Sequence, residues 1–202
     1  SEGYFEIDGN KPNITNNHNS AWINVTPKNA RQQLGKAEMT ADFSTYQPKN
    51  RSETSSNGKS NSSKINPPGW NQLKIKGSSS GSWLYQRGHT LGYSIMGGYS
   101  GFDASEANVD NISTQTAMAN ASLNKNGQNY WEGIVRNAIK NHKVVRYEVE
   151  PIYQGNNLVP SLNHIEAQST DGSVSFNVAI PNVQPGVKIN YTTGFAQIIG
   201  RQ

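Results

Sequence analysis

Residues 129–140 set Trp131, Ile134, Val135, Ala138 and Ile139 on one stripe at helical spacing, with Glu132, Arg136 and Lys140 on the polar side. A helix of this kind must lay its stripe on an apolar surface, and the flanking chain supplies strands to do it. Period-two alternation predicts strands over 4–7, 72–76 and 83–89 before the helix, and over 144–153, 174–180 and 187–191 after it. Gly-Asn, Asp-Gly and Pro-Gly turn signals separate the last three. Segments 72–76 and 83–89 are expected to form a hairpin around the Ser/Gly run 77–82. A shorter helix is expected over 114–123, capped by the polar side chains of Asn111-Ile112-Ser113-Thr114. The order strands, helices, strands gives the α+β class, with a central antiparallel sheet, flanking helices and long loops.

The chain has 202 residues and 22.1 kDa, which suits one domain over 1–202. Hydrophobic residues make up 33% and charged residues 16%, so the core is modest and the remainder is largely uncharged polar, Asn and Ser foremost. Residues 10–20 are Asn-rich and without period, an extended and peripheral lead-in. Residues 48–64 read as a mobile surface loop. The absence of cysteine excludes disulfides, thiolate nucleophiles and Cys-ligated zinc, and suits an exported bacterial protein. No run of 18 apolar residues suggests a membrane span, and Ser1-Glu2-Gly3 does not resemble a signal peptide, as expected where none existed or it was removed. A net charge of +4 favours acidic partners without requiring them.

The four histidines, at 18, 89, 142 and 164, are not paired at i+3 or i+4, so no local His-based metal cluster is written. Gly77-Ser78-Ser79-Ser80-Gly81 matches G-x-S-x-G but lies in low-complexity sequence instead of on a strand leading into a helix, and is read as a chance match. More informative is 83–89, where strand parity sets Arg87 and His89 on one face with Gly88 between them, leaving the backbone accessible. An imidazole that takes a proton from water beside a guanidinium that holds phosphate oxygens suits phosphodiester cleavage. Spacing alone favours the plainer reading, a strand-end histidine with a solvated arginine.

Arg87-Gly88-His89, Gly101-Phe102-Asp103-Ala104-Ser105, Asn111-Ile112-Ser113-Thr114-Gln115-Thr116-Ala117-Met118-Ala119-Asn120 and Gly127-Gln128-Asn129-Tyr130-Trp131-Glu132 resemble the DNA/RNA non-specific endonucleases of the ββα-metal, or His-Me finger, superfamily. Within it the chain is most similar to the secreted streptococcal DNases, the streptodornases. The similarity is strong over 83–136 and weaker over 147–152, 155–160 and 171–181; the first 65 residues add little to it.

The resemblance implies a ββα-metal core over about 72–136 with His89 as general base at the end of its second strand. It implies Asn120 as the metal ligand on the following helix, Asn111 as a supporting residue, and Glu132 as an acidic residue orienting water on the metal. Arg87 is the arginine of the family's R-G-H core, and Arg136 is a further phosphate contact. Each has a plainer alternative: a solvent-facing Asn120, an Asn111 that only caps the helix bearing Asn120, and a surface ion pair between Glu132 and Arg136. The family usually reads D-R-G-H, where this chain has Gln86. That change removes a negative charge near the base while keeping hydrogen-bonding capacity.

The implied cofactor is one Mg²⁺, mostly water-coordinated, with Mn²⁺ as an alternative ion. The implied activity is secreted, sequence-nonspecific hydrolysis of DNA leaving 5′-phosphate ends. Two alternatives stay open: a nuclease acting mainly on RNA, and an extracellular nucleic-acid-binding module whose site has decayed. No base-reading helix and no aromatic strand of the RNA-recognition type is evident, so binding is expected through phosphates and to be salt-sensitive, with Lys74, Lys76, Lys125, Arg136 and Lys140 as the candidate footprint. A monomer without an obligate protein partner or membrane contact is expected.

Overall fold

The strand expected over 144–153 forms the middle of the molecule. In the computed structural model, which describes residues 3–48, 64–78 and 81–200, it is an eight-residue strand with antiparallel neighbours on both sides. The loop expected over 48–64 lies, but for its two ends, outside the described residues, as do Ser79 and Ser80 of the Ser/Gly run.

In chain order the elements are β1 (Phe5–Glu6), β2 (Trp22–Val25), β3 (Ala37–Ala41), β4 (Lys74–Ser78), β5 (Gly81–Trp83), β6 (Tyr85–His89), α1 (Tyr93–Met96), β7 (Ile112–Thr116), α2 (Ala117–Ala121) and α3 (Gln128–Lys140). They continue with β8 (Val145–Ile152), β9 (Leu162–Ser169), β10 (Ser175–Pro181), β11 (Val187–Ile189) and β12 (Ala196–Ile198). Six strands form one antiparallel sheet in the order β1-β10-β9-β8-β3-β2, while β4-β5, β6-β7 and β11-β12 are separate two-stranded pairs. The class is α+β, as expected.

One face of the large sheet carries Met39, Tyr147, Val149, Ile165, Ala167, Phe176 and Val178, all buried. Against it α3 lays the stripe read from sequence, with Trp131, Val135, Ala138 and Ile139 buried. Trp131 anchors the contact: its ring centroid lies 4.9 Å from that of Phe176, and its indole N–H donates to the Lys125 carbonyl at 2.9 Å. Large aromatic area and a satisfied polar handle are both needed to bury an indole.

The other sheet face is polar and explains the aperiodic lead-in. Glu38, Glu148 and Glu166 are directly opposite one another across β3, β8 and β9, with Asn177 next on β10. The Asn-rich segment straps this row: the Asn13 N–H donates to Glu166, Asn177 donates to the Lys11 carbonyl, and Thr40 donates to Asn16. Far from peripheral, it buries the polar face by hydrogen bonds, which leave no hydrophobic period to read. The N-terminal residues thus supply three strands of the main sheet and its cover. Strands β2, β3 and β9 were not expected from the sequence.

Two further expectations change. The strand expected over 83–89 breaks at Leu84, whose N–H donates to Leu73 and whose carbonyl accepts from Ala117. Before the break β5 pairs with β4, as the hairpin required; after it β6 pairs with β7. The helix expected over 114–123 begins only at Ala117, because Ile112–Thr116 is committed to β6 and the Thr116 hydroxyl caps the Ala119 N–H at 3.0 Å. The finger is therefore β6-β7-α2. His89 ends its first strand, not its second, and Asn111 does not cap α2.

The Glu ladder gives a test of the sheet's electrostatics. Burial raises the Glu148 carboxyl above its ordinary range, opposed by the Lys36 ammonium 2.8 Å away, while that contact raises Lys36. Lys36→Met should cost about 1–2 kcal/mol at neutral pH, since it leaves Glu148 beside two like charges, discounted because Lys36 is partly exposed. The pair's contribution fades in acid as Glu148 takes up its proton, and in strong alkali as Lys36 loses its own. Urea denaturation across pH checks this; a wild-type–variant difference that persists at a pH where Glu148 is protonated would refute it.

Candidate active site

Around the finger two clefts meet. One, of ≈ 380 Å³, is lined by Trp70, Trp83, Arg87, His89, Glu106 and Asn120 among others; the second, of ≈ 270 Å³, by His89, Gly92, Asn120, Asn129, Glu132 and Arg136 among others. His89 and Asn120 belong to both.

His89 is buried, and its Nε2 lies 2.9 Å from the Ala104 carbonyl oxygen. A carbonyl only accepts, so Nε2 carries the proton and the lone pair of the neutral ring falls on Nδ1. Asp103, Ser105 and Asn108 hold the loop that presents this carbonyl: Asp103 accepts from the Ser105 N–H, Ser105 from Ala107, and Asn108 from Asp110. Asn111 does not enter either cleft. Fully buried, it accepts from the Leu91 N–H at 2.9 Å and donates to the Leu91 carbonyl, fixing the chain as it leaves His89.

Asn120 donates its Nδ2 to the Gln86 Oε1 at 2.7 Å. In this orientation the nitrogen of the Asn120 amide, and not its oxygen, is given to Gln86. Glu132 is buried on α3, with Arg136 Nη1 4.0 Å away, so the two form no ordinary surface pair. Arg136 also donates to Asn129 at 2.9 Å. Gly92 makes room for the Glu132 carboxylate, since a Cβ there would lie 2.1 Å from its oxygen. Gly88 serves the Gln115 side chain in the same way, which is why the R-G-H run needs a glycine.

Arg87 shares the first cleft with His89, as strand parity requires. Its Nε donates to the Ile65 carbonyl at 2.6 Å and its Nη2 to Asn66 at 2.8 Å, while the guanidinium lies 4.7 Å from the centroid of the Trp70 ring. Much of its fork thus anchors residues 65–70. Of the cations expected to meet phosphate, Arg136 lines the second cleft, Lys74 and Lys76 are exposed on β4, Lys125 lies over the Tyr4 ring and Lys140 ends α3.

The family model of the DNA/RNA non-specific endonucleases matches residues 10–192. The chain belongs to that family. It is also similar to the crystal structure of NucA from Streptococcus agalactiae with magnesium ion bound, at 34% identity and a TM-score of 0.87, over 98% of this chain and 89% of that one. The same protein with no metal bound matches with a TM-score of 0.84. The Sda1 nuclease with bound zinc ion shares the fold at 19% identity, with a TM-score of 0.72 over 96% of this chain and 95% of that one.

This endonuclease is a metal-dependent enzyme, and its cleft suits a divalent ion of a particular kind. Among the described residues there is no group of three His, Cys, Asp or Glu side chains able to hold a metal. With Nδ2 given to Gln86, Asn120 offers a neutral amide oxygen, and Glu132 stands across the second cleft. Such donors fit a hard cation that keeps most of its water.

The residue that joins this endonuclease's parts was not singled out from sequence. Gln128, at the start of α3, is fully buried. Its Oε1 accepts from Gln115 of β7 at 3.1 Å and Asn163 of β9 at 2.8 Å, and its Nε2 donates to the His89 carbonyl at 3.0 Å and that of Thr90 at 3.3 Å. Nothing in its local sequence signals this, because its partners come from distant segments. Gln128→Met keeps the volume and strands these groups, so it should cost about 2–4 kcal/mol. A urea unfolding free energy within about 0.5 kcal/mol of wild type, the usual range of neutral surface changes, would refute the linchpin role.

Proposed function

We propose that this chain is a secreted, Mg²⁺-dependent, sequence-nonspecific endonuclease that hydrolyses DNA, with His89 as general base and Asn120 as the direct protein ligand of the ion. The observation that carries the reading is a pair of hydrogen bonds beside the shared clefts: His89 Nε2 to Ala104 places the lone pair of the neutral ring on Nδ1, and Asn120 Nδ2 to Gln86 leaves Oδ1 as the amide atom not given to Gln86. His89 takes a proton from water through Nδ1 as that water attacks phosphorus in line with the departing 3′ oxygen, leaving a 5′-phosphate. When bound, Mg²⁺ supplies positive charge against the charge that builds on the phosphoryl oxygens. Glu132 orients water in the second cleft, and Arg136, held beside it, meets a substrate phosphate. Asn111 fixes the chain that carries His89, and Arg87 sets the cleft wall. The magnesium-bound relative supports the choice of ion; secretion is supported by the absence of cysteine and by similarity in fold to structures described as an extracellular nuclease and an extracellular endonuclease.

Gln86 supports an intact site over a decayed one, since its amide does a job at the proposed ligand. Supercoiled plasmid at low salt should be nicked with Mg²⁺ and left intact with excess EDTA. His89→Ala should lose several orders of magnitude in rate while binding DNA as before. Nicking by that variant at near wild-type rate would remove His89 as the base, and a plasmid that only shifts in mobility with Mg²⁺ would restore the binding-module reading.

The ligand role has its own measurement. Asn120→Ala should raise the Mg²⁺ concentration for half-maximal rate by about 10–100-fold, and Gln86→Ala by less, because Gln86 only aims the amide. An Mg²⁺ titration unchanged in Asn120→Ala would refute the assignment.

A further inference from the structure

Trp83 is 53% exposed on the wall of the same cleft that holds His89 and Asn120. Its neighbour Leu84 is fully buried, so the break between β5 and β6 faces the leucine inward and leaves the indole out. The directly opposed residue on β4 is exposed Lys74, and directly opposed residues share a sheet face. Trp70, also on the cleft wall, carries the Arg87 guanidinium 4.7 Å from its ring centroid, with the buried Tyr85 ring tilted against it at 6.2 Å. Two indoles and the Arg87 guanidinium therefore share the cleft of the proposed base, with Lys74 opposite Trp83. No run of aromatics on one strand announces them.

A broad apolar ring left in water inside a polar cleft gains nothing in the free protein, and a planar partner would bury it. Nucleobases are planar and every one has a π-face, so stacking on tryptophan is tolerant of sequence, which matches a nonspecific enzyme. Inside a duplex those faces are covered by neighbouring pairs and cannot reach an indole. We propose that Trp83, backed by Trp70, is a stacking subsite for an unpaired base of the DNA strand being cut. The inference rests on the nuclease reading and adds to it a preference for single-stranded or locally opened DNA. Trp83 and His89 are six positions apart, at most roughly 20 Å along an extended chain, so the stacked base sits a few nucleotides from the scissile bond.

The test uses a 5′-labelled oligonucleotide, alone and annealed to its complement, with the wild type, Trp83→Ala and Trp83→Phe. The single-strand to duplex rate ratio should fall about tenfold in Trp83→Ala and stay near wild type in Trp83→Phe, which keeps a π-face. Abasic residues placed singly across the few nucleotides flanking the cut should slow wild-type cleavage at one or two positions and make no difference to Trp83→Ala. An unchanged ratio in Trp83→Ala, or abasic sites without effect on the wild type, would overturn the subsite. A binding arm separates this from the chemistry: in a His89→Ala background, fluorescence anisotropy should show Trp83→Ala binding the intact single strand about tenfold more weakly, with the abasic oligonucleotide unaffected by the substitution. Equal affinities of His89→Ala with and without Trp83→Ala for the intact strand overturn stacking, whereas a wild type that cleaves neither the single strand nor the duplex counts against the nuclease reading.

Discussion

The primary amide of Gln128 ties the finger to the main sheet and to the start of α3 at once. Its oxygen is shared by β7 and β9 and its nitrogen by the two carbonyls at the end of β6, so the finger, α3 and the main sheet have a common fixed point. A buried polar group is costly unless its bonds are made, and here saturation requires all three units to be in place at once. His89 is thereby located by its own carbonyl, by the loop that presents Ala104 to its ring, and by Asn111, which bonds Leu91 two residues beyond. The ring of the proposed base meets a backbone carbonyl at Nε2, which is how a five-residue strand can present an imidazole with one defined tautomer.

The same logic runs into the site. A carboxylate at position 86 would also accept a hydrogen bond from Asn120, but it would add a negative charge beside the proposed metal ligand and the proposed base. Gln86 bonds the Asn120 amide without that charge, so the field of a cation held there, as proposed, would be less cancelled at the phosphate. The acidic groups near the clefts are partnered: Glu132 faces Arg136 and Glu106 faces Arg87. Repulsion of a polyanion is kept low by pairing as well as by sparing use of acids.

Sequence made some of this visible and hid the rest for physical reasons. The α3 stripe was legible because one face is buried against the sheet, and 144–153 and 174–180 because their apolar positions alternate. Strands β2 and β3 were not, since β2 is an edge strand and β3 carries Ala, Met and Thr in place of the large β-branched residues that mark strands. The short helix of the finger was placed too early because Ile112–Thr116 is buried at every position and polar at all but Ile112, a pattern without period. Among site residues, His89 and Asn120 came from motif resemblance and do converge on shared clefts. The Ala104 carbonyl could not have been found by any residue type, because it is backbone. Trp70 and Trp83 were present in the sequence as isolated tryptophans, and only the break at Leu84 puts them on one wall.

An Asn-rich composition usually argues for loops, and here it argues for connections. Asn111, Asn163, Asn177, Asn182 and Gln128 are all buried, and each bridges segments distant in sequence. Asn182 alone accepts from the Thr116 N–H and donates to the carbonyls of Thr114 and Pro160, locking the finger's second strand to the end of β10. An amide both donates and accepts, and it stays neutral across the pH range in which carboxylates and imidazoles titrate. A chain with a modest hydrophobic core and no disulfide can therefore add crosslinks without adding charge. For an enzyme that must admit a polyanion and a divalent cation to one cleft, that neutrality is a functional property of the scaffold: acidic crosslinks in these places would stabilise the fold while competing for the ion and repelling the substrate.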